Sequence, residues 1–187
     1  LPSSDAARVL PSCYRLGTAE QRDELLRRTE LDAAKLALSH YGHFFLLCVL
    51  RHGPPSHRGK LLAALRGRAA DLIVHADGSA VLQLAYSSVA TSAQRVAMYR
   101  ELWGKDFALL PTSTPHATLA ELFAADPACK PRVLRHLEAL LGKAARKGLA
   151  TTHLVQRGLA DMLEPSEPRQ RAARPATLVE PAPHSIH

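Results

Sequence analysis

Aromatic residues make up only 5% of the 187 residues, with Trp103 the single tryptophan. Such scarcity argues against a β-sandwich and for helices packed by Leu and Ala, of which a 47% hydrophobic content supplies enough for a core. Cysteine is equally sparse: Cys13, Cys48 and Cys129 lie far apart with no CxxC pair. That pattern fits reduced, buried thiols in an intracellular protein better than a disulfide framework. No run of 18 apolar residues occurs, so no membrane-spanning helix is expected. Acid is in deficit too. Against 24 Lys and Arg stand 17 Asp and Glu, a net charge of +7 with a pI near 9.7, a balance that favours a polyanionic partner, nucleic acid before an acidic membrane.

Signatures of catalysis are missing as well. Ten histidines are scattered through the chain; His40 and His43 are three apart, but no Cys or acid lies near enough in sequence to complete a metal set. Ser, His and acidic residues occur without a nucleophile motif, and the pair Asp23-Glu24 falls on an expected solvent face. Neither an enzyme nor a cofactor nor a small-molecule substrate is expected. The opening Leu1-Pro-Ser-Ser shows no signal-peptide pattern and no initiator Met, and reads as a fragment starting just ahead of a repeat.

What is present is a repeating helical text. His40 to Gly53 opens with Tyr-Gly, continues as the apolar block Phe44 to Leu50, and closes on a basic pair and Gly53. Helices this short are marginal alone and must be stacked between neighbours. The residues just before each paired apolar step are Ala7, His43, Ser79, Ala117 and His153, at intervals of 36, 36, 38 and 36. Between these units, Glu20 to Leu38 carries Leu25, Leu26, Leu31 and Leu36 as a longer joining helix, and His57 to Val74 reads as a helix interrupted near Gly67. Pro11 should kink or shorten the first unit. Asp77-Gly78 resembles a hairpin turn, but its flanks have helical periodicity. Ala93 to Trp103 places Val96, Tyr99 and Trp103 on one packing stripe, and Leu110 to Pro115 is a loop. Pro131 to Lys147 is an amphipathic helix, and Ala150 to Leu163 is the last unit. Residues 165–187 are Pro-rich and basic without periodicity, the text of a disordered tail.

Asp5-Ala-Ala-Arg-Val-Leu, Tyr41-Gly-His-Phe-Phe-Leu and Asp77-Gly-Ser-Ala-Val-Leu-Gln-Leu-Ala-Tyr86 resemble the second helices of pumilio-type (PUF) repeats. Glu101-Leu-Trp-Gly-Lys-Asp-Phe107 and the Ala-rich helices narrow the resemblance to the divergent Puf-A class, over roughly residues 4–164. It implies an all-α superhelical solenoid, here about five units across residues 1–164 of a longer array. It further implies RNA binding in the nucleus and nucleolus. The associated roles are ribosomal RNA processing and ribosome biogenesis, together with translation regulation; the partners are pre-ribosomal RNA and ribosome assembly proteins, with DNA as a second nucleic acid.

In the sequence-reading members each second helix offers two edge-reading side chains and one stacking side chain to a base. Carried onto this chain, the trios are Ala7, Arg8 and Pro11; His43, Phe44 and Leu47; Ser79, Ala80 and Gln83; Ala117, Thr118 and Glu121; His153, Leu154 and Arg157. Few keep a working set: Ser79 with Gln83 lacks a stacking ring at Ala80, and Phe44 is followed by Leu47, which cannot hydrogen-bond. Charge survives instead. Arg51, Arg58, Lys60, Arg66 and Arg68 form a block without an acid, and Lys130 to Lys147, including Lys143, Arg146 and Lys147, holds six basic residues against Glu138 alone. Taken alone such a run is more often a solvated helix face, but stacked repeats align basic faces into one surface. The expectation is binding of structured RNA through backbone and shape. The candidate contacts are Arg8, His43, Phe44, Ser79, Gln83, Arg157 and the basic residues just named. The rivals are a protein-binding scaffold of the HEAT or armadillo kind and a sequence-specific pumilio repressor.

Overall fold

The computed structural model describes residues 4–108, 118–149 and 153–163. The expected loop at 110–115, residue Ala117 and the tail beyond 164 lie outside the described residues. Every regular element among the described residues is helical. The first unit is α1 (Ser4–Leu16). Two triplets of long, short and long helix follow. One is α2 (Ala19–Glu30), α3 (Ala33–Ala37) and α4 (Gly42–His52); the other is α5 (Pro55–Ala64), α6 (Ala69–Ile73) and α7 (Ala76–Leu84). Then come α8 (Ser92–Arg100), α9 (Lys105–Ala108), α10 (Leu119–Ala125), α11 (Lys130–Arg146) and α12 (His153–Leu163).

Local chemistry explains the boundaries. Two of the Thr-capped helices, α2 and α8, start with reciprocal capping boxes: Thr18 N donates to Gln21 Oε1 at 2.9 Å and Thr91 N to Gln94 Oε1 at 2.9 Å, while each Thr hydroxyl accepts from the Gln backbone N–H. Between α5 and α6 the chain turns at Gly67, whose φ of +79° suits a residue without a side chain, as the sequence anticipated. Asp77-Gly78 is helical, inside α7. The joining helix expected over 20–38 is instead broken in two, α2 and α3, around Leu31 and Asp32. Pro11 does not shorten α1, which runs to Leu16. Ala7 and Tyr14, buried against α4 on either side of it, keep the helix in place despite the missing N–H.

The helices α1 and α4 pack side by side, as do α4 and α7, forming a row. The helix that continues this row is α12: His153 N donates to Gln83 Oε1 at 2.8 Å, and Arg157 Nη1 to the Tyr86 hydroxyl at 2.9 Å. The unit expected at 117–124 is α10, and it sits elsewhere. It packs on the turn Pro127–Cys129, with Glu121 near Arg100 of α8. One core runs through the stack, from Tyr14 and Phe45 through Leu72, Tyr99 and Trp103 to Leu137 and Val155. Trp103 meets Tyr99 edge-on at 5.5 Å between centroids, the packing role expected of it. Cys48 and Cys129 are buried as expected, whereas Cys13 is exposed on the outer side of α1, because no helix covers that side among the described residues.

Candidate nucleic-acid interface

The starts of the row helices carry the aromatic part of the surface. On α4 the sequence alternates turn by turn so that Phe45 and Leu46 face the core while Phe44 stands 51% exposed. Phe44 stacks on His43 at 4.0 Å between centroids, and His40 packs against Tyr41 at 4.9 Å. Arg8 of α1 lies over the Tyr41 ring at 4.3 Å and donates to its hydroxyl at 3.0 Å. Thus Arg8, Tyr41, His40 and Phe44 make one exposed patch of flat faces. Among the described side chains the acid beside it is Asp77, whose Oδ1 lies 3.7 Å from His40 Nδ1 and 3.6 Å from His43 Nδ1.

The edge-reading positions are occupied by the protein itself. His43 is 6% exposed, with Nδ1 3.2 Å from Ser39 O. Ser79 is buried and its hydroxyl donates to Ala76 O at 2.8 Å. Leu47 is buried, and Gln83 Oε1 is taken by α12. Thr118 caps α10, accepting from Glu121 N at 3.2 Å. In the last helix the trio expected at 153, 154 and 157 is one residue out of register. Leu154 is buried and His153 exposed, so His153 is the counterpart of Phe44 and Ala80. The slip arises because the spacing was counted through α10, which does not belong to the row. Arg157 is no free contact either: its guanidinium lies 4.4 Å over the Tyr99 ring and bonds Tyr86.

The first basic block is divided by α5. Arg51 and Arg58 lie at the end of α4 and the start of α5, whereas Arg66 and Arg68 lie past its other end. Ten residues at about 1.5 Å each separate them by roughly 15 Å, so the block supplies two rims. Arg58 is half-buried and donates from Nη2 to Arg51 O at 3.1 Å. It belongs to a series that sequence reading missed. Arg22 donates from Nη2 to Arg15 O and from Nε to Gly17 O, both at 3.1 Å, and Arg95 from Nη2 to Ser87 O at 3.2 Å and from Nε to Ala90 O at 3.1 Å. Each ties the carbonyl end of one row helix to the next long helix, where the helix dipole favours a cation. The signal was their placement five residues after Gly17, Gly53 and Ala90.

Among the described residues Arg15, Arg51, Lys60, Arg66, Lys143 and Arg146 are exposed and lack a carboxylate within ion-pair distance. Arg68 reaches Asp71 at 3.5 Å, and Lys147 Nζ donates to Val74 O at 2.8 Å, pinning the end of α11 beside α6. Behind one rim, Glu101 is 5% exposed and accepts from Gly67 N at 2.7 Å and Ala69 N at 2.8 Å. Burial pushes its carboxyl above the usual range, opposed by those two hydrogen bonds and by the charge of Arg66. At the α2–α5 joint the buried His57 lies between the Tyr14 hydroxyl, 2.7 Å from Nδ1, and the Asp23 carboxylate at Nε2. Among the described residues no three His, Cys, Asp or Glu side chains are grouped to hold a metal, and no helix is long and apolar enough to cross a membrane.

No family model matches the chain. It is similar to human Pumilio homolog 3, 23% identical over 184 residues that cover 98% of this chain and 28% of that protein. Pumilio domain-containing protein 12 of Caenorhabditis elegans is 24% identical over 156 residues, 83% of this chain and 20% of that protein. The chain therefore spans less than a third of the length of these curated relatives. Among solved structures, human Puf-A superposes with a TM-score of 0.75 at 23% identity, over 86% of this chain and 31% of that one. Human Puf-A in complex with DNA gives 0.72 at 22% identity, over 86% and 32%. The chain is thus an all-α helical-repeat solenoid, similar in fold to human Puf-A.

Proposed function

We propose that the chain binds nucleic acid through backbone and shape, with RNA as the principal ligand and without reading base sequence. One observation carries this reading: the groups that would read base edges are spent inside the protein, while exposed rim cations are left without carboxylate partners. Phosphate contacts of that kind supply affinity but no sequence information. The patch of Arg8, Tyr41, His40 and Phe44 adds stacking faces that accept any base, and Asp77 beneath it disfavours a phosphate at that spot. Support comes also from human Puf-A, a protein of the same fold that has been crystallised with DNA. A place in ribosomal RNA processing, in the nucleolus and with assembly proteins as partners, rests on the Puf-A resemblance. Translation regulation rests on the same ground.

The test is a salt titration of binding to two unrelated structured RNAs of equal length. Affinity for both should fall together, and steeply, as salt rises. A strong preference for one single-stranded motif favours sequence reading instead, and no binding at low salt favours a protein-binding scaffold.

A further inference from the structure

The register of the clamp arginines lets the joint between α5 and α8 be compared with the joint between α2 and α5. Arg22, Arg58 and Arg95 put the three long helices in step at 36 and 37 residues. At the first joint Asp23 reaches across to His57. At the second, Gly59 stands for Asp23, Ala63 for Arg27, Ala93 for Ser56 and Ala97 for Lys60. Gln94, the counterpart of His57, turns to its own helix cap, where Oε1 accepts from Thr91 N. The four truncations leave a half-enclosed cavity of about 360 Å³, completed by Leu62, Leu82 and Met98. That volume suits a small organic molecule, and a mainly apolar lining with a few polar groups is what such sites have.

Gly59 is not demanded by the backbone. It lies inside α5, has no positive φ, and a Cβ built on it would meet no heavy atom within 4 Å. Glycine is less favourable than alanine in a helix interior, so what this residue does is keep the cavity open. The wall also holds one buried charge, that of Glu101. Its two oxygens each accept one backbone N–H, from Gly67 and Ala69. A carboxylate has roughly four acceptor sites, so capacity remains on both oxygens. Among the described residues Glu101 makes no ion pair, and Arg66, the cation that lowers its pKa, stands exposed to water. A buried charge without a counter-ion is unfavourable, and a cation entering the cavity relieves it.

We propose that the cavity between α5 and α8 binds a small organic cation, an amine carried on an apolar chain or ring, with its ammonium on the Glu101 carboxylate and its apolar body against Ala63, Ala97 and Leu62. An acidic ligand is disfavoured: the charge of Arg66 is screened by water, whereas that of Glu101 acts at low dielectric. The site lies between neighbouring repeats and stands apart from nucleic-acid binding.

Titration of the full chain with hexylamine, a cation at neutral pH, and with hexanol, its neutral counterpart of equal chain length, tests this by amide NMR spectra. Hexylamine should give saturable shifts at Gly59, Ala63, Ala97 and Glu101 and bind at least about tenfold more tightly than hexanol, as a charge-assisted hydrogen bond provides. Glu101→Gln should bring the two probes to equal affinity. Gly59→Leu places its side chain in open space on α5, so it should melt no lower than wild type while binding neither probe. If Glu101→Gln fails to fold, the hexanol comparison and Gly59→Leu still decide. Absence of saturable shifts at millimolar probe, hexanol bound as tightly as hexylamine, a preference that survives Glu101→Gln, or binding that survives Gly59→Leu overturns the proposal.

Discussion

Two residues, Phe44 and Glu101, separate what the sequence announces from what burial decides. Phe44 lies in an apolar run and reads equally as core or as a stacking ring; the fold leaves it half exposed on the row surface. Phe44→Ala should therefore change stability by less than about 0.5 kcal/mol, as surface substitutions do, while weakening RNA binding; a thermal melt beside a binding titration reads both. Glu101 looks like an ordinary helix acid, yet it is buried and satisfies two backbone N–H groups. Glu101→Gln leaves one of those donors facing an amide N–H₂, which should cost about 1–3 kcal/mol. Because burial raises the folded-state pKa of Glu101 above its ordinary 4.5, the native state holds this proton more tightly than the unfolded chain. Its linkage contribution is therefore fully present below the unfolded pKa and is lost as pH rises through the folded one. Urea melts across that window should show the decline in wild type and a flatter profile in the Gln variant.

The arginine clamps show how elements are joined. Arg22, Arg58 and Arg95 recur at 36 and 37 residues, and the extra residue in the second interval accompanies the π-helical turn Ala85–Val89. A π-turn accommodates a single inserted residue within a helix. Arg95 consequently reaches eight residues back to Ser87 O, where its counterparts reach seven. Arg95→Ala should lower stability by about 1–3 kcal/mol, given two charge-assisted bonds to carbonyls that would lose their donor, and should leave RNA affinity largely unchanged. Arg51→Ala should do the reverse, since its side chain is exposed at the end of α4. Chemical denaturation and a binding titration on the same two variants separate the roles.

At the scale of the whole molecule, charge is distributed over two rims rather than one block. Reversing Arg15 and Arg51 to Glu acts on the rim at the ends of α1 and α4, and reversing Lys143 and Arg146 acts on α11. Each pair should weaken binding to unrelated RNAs about equally and reduce the salt slope, by roughly one unit for each phosphate no longer neutralised. A pair that leaves affinity and slope unchanged while the helices stay native lies off the binding surface.

The sequence by itself determined the all-α class, the 36-residue period through α1, α4 and α7, the break at Gly67 and the packing role of Trp103. Those features are written in neighbouring residues: apolar periodicity and glycine punctuation act over a few positions of chain. Only the tertiary structure decided that α12 rather than α10 follows α7, that Arg58 and Arg157 are structural, and that Ser79 and Gln83 are already engaged. Arg58 and Ser79 are engaged by carbonyls seven and three residues away, whereas the pairs Gln83 with His153 and Tyr86 with Arg157 join partners about 70 residues apart. A hydrogen bond across that distance leaves no periodic trace, because the side chain that donates looks the same in sequence whether it meets a phosphate or a carbonyl.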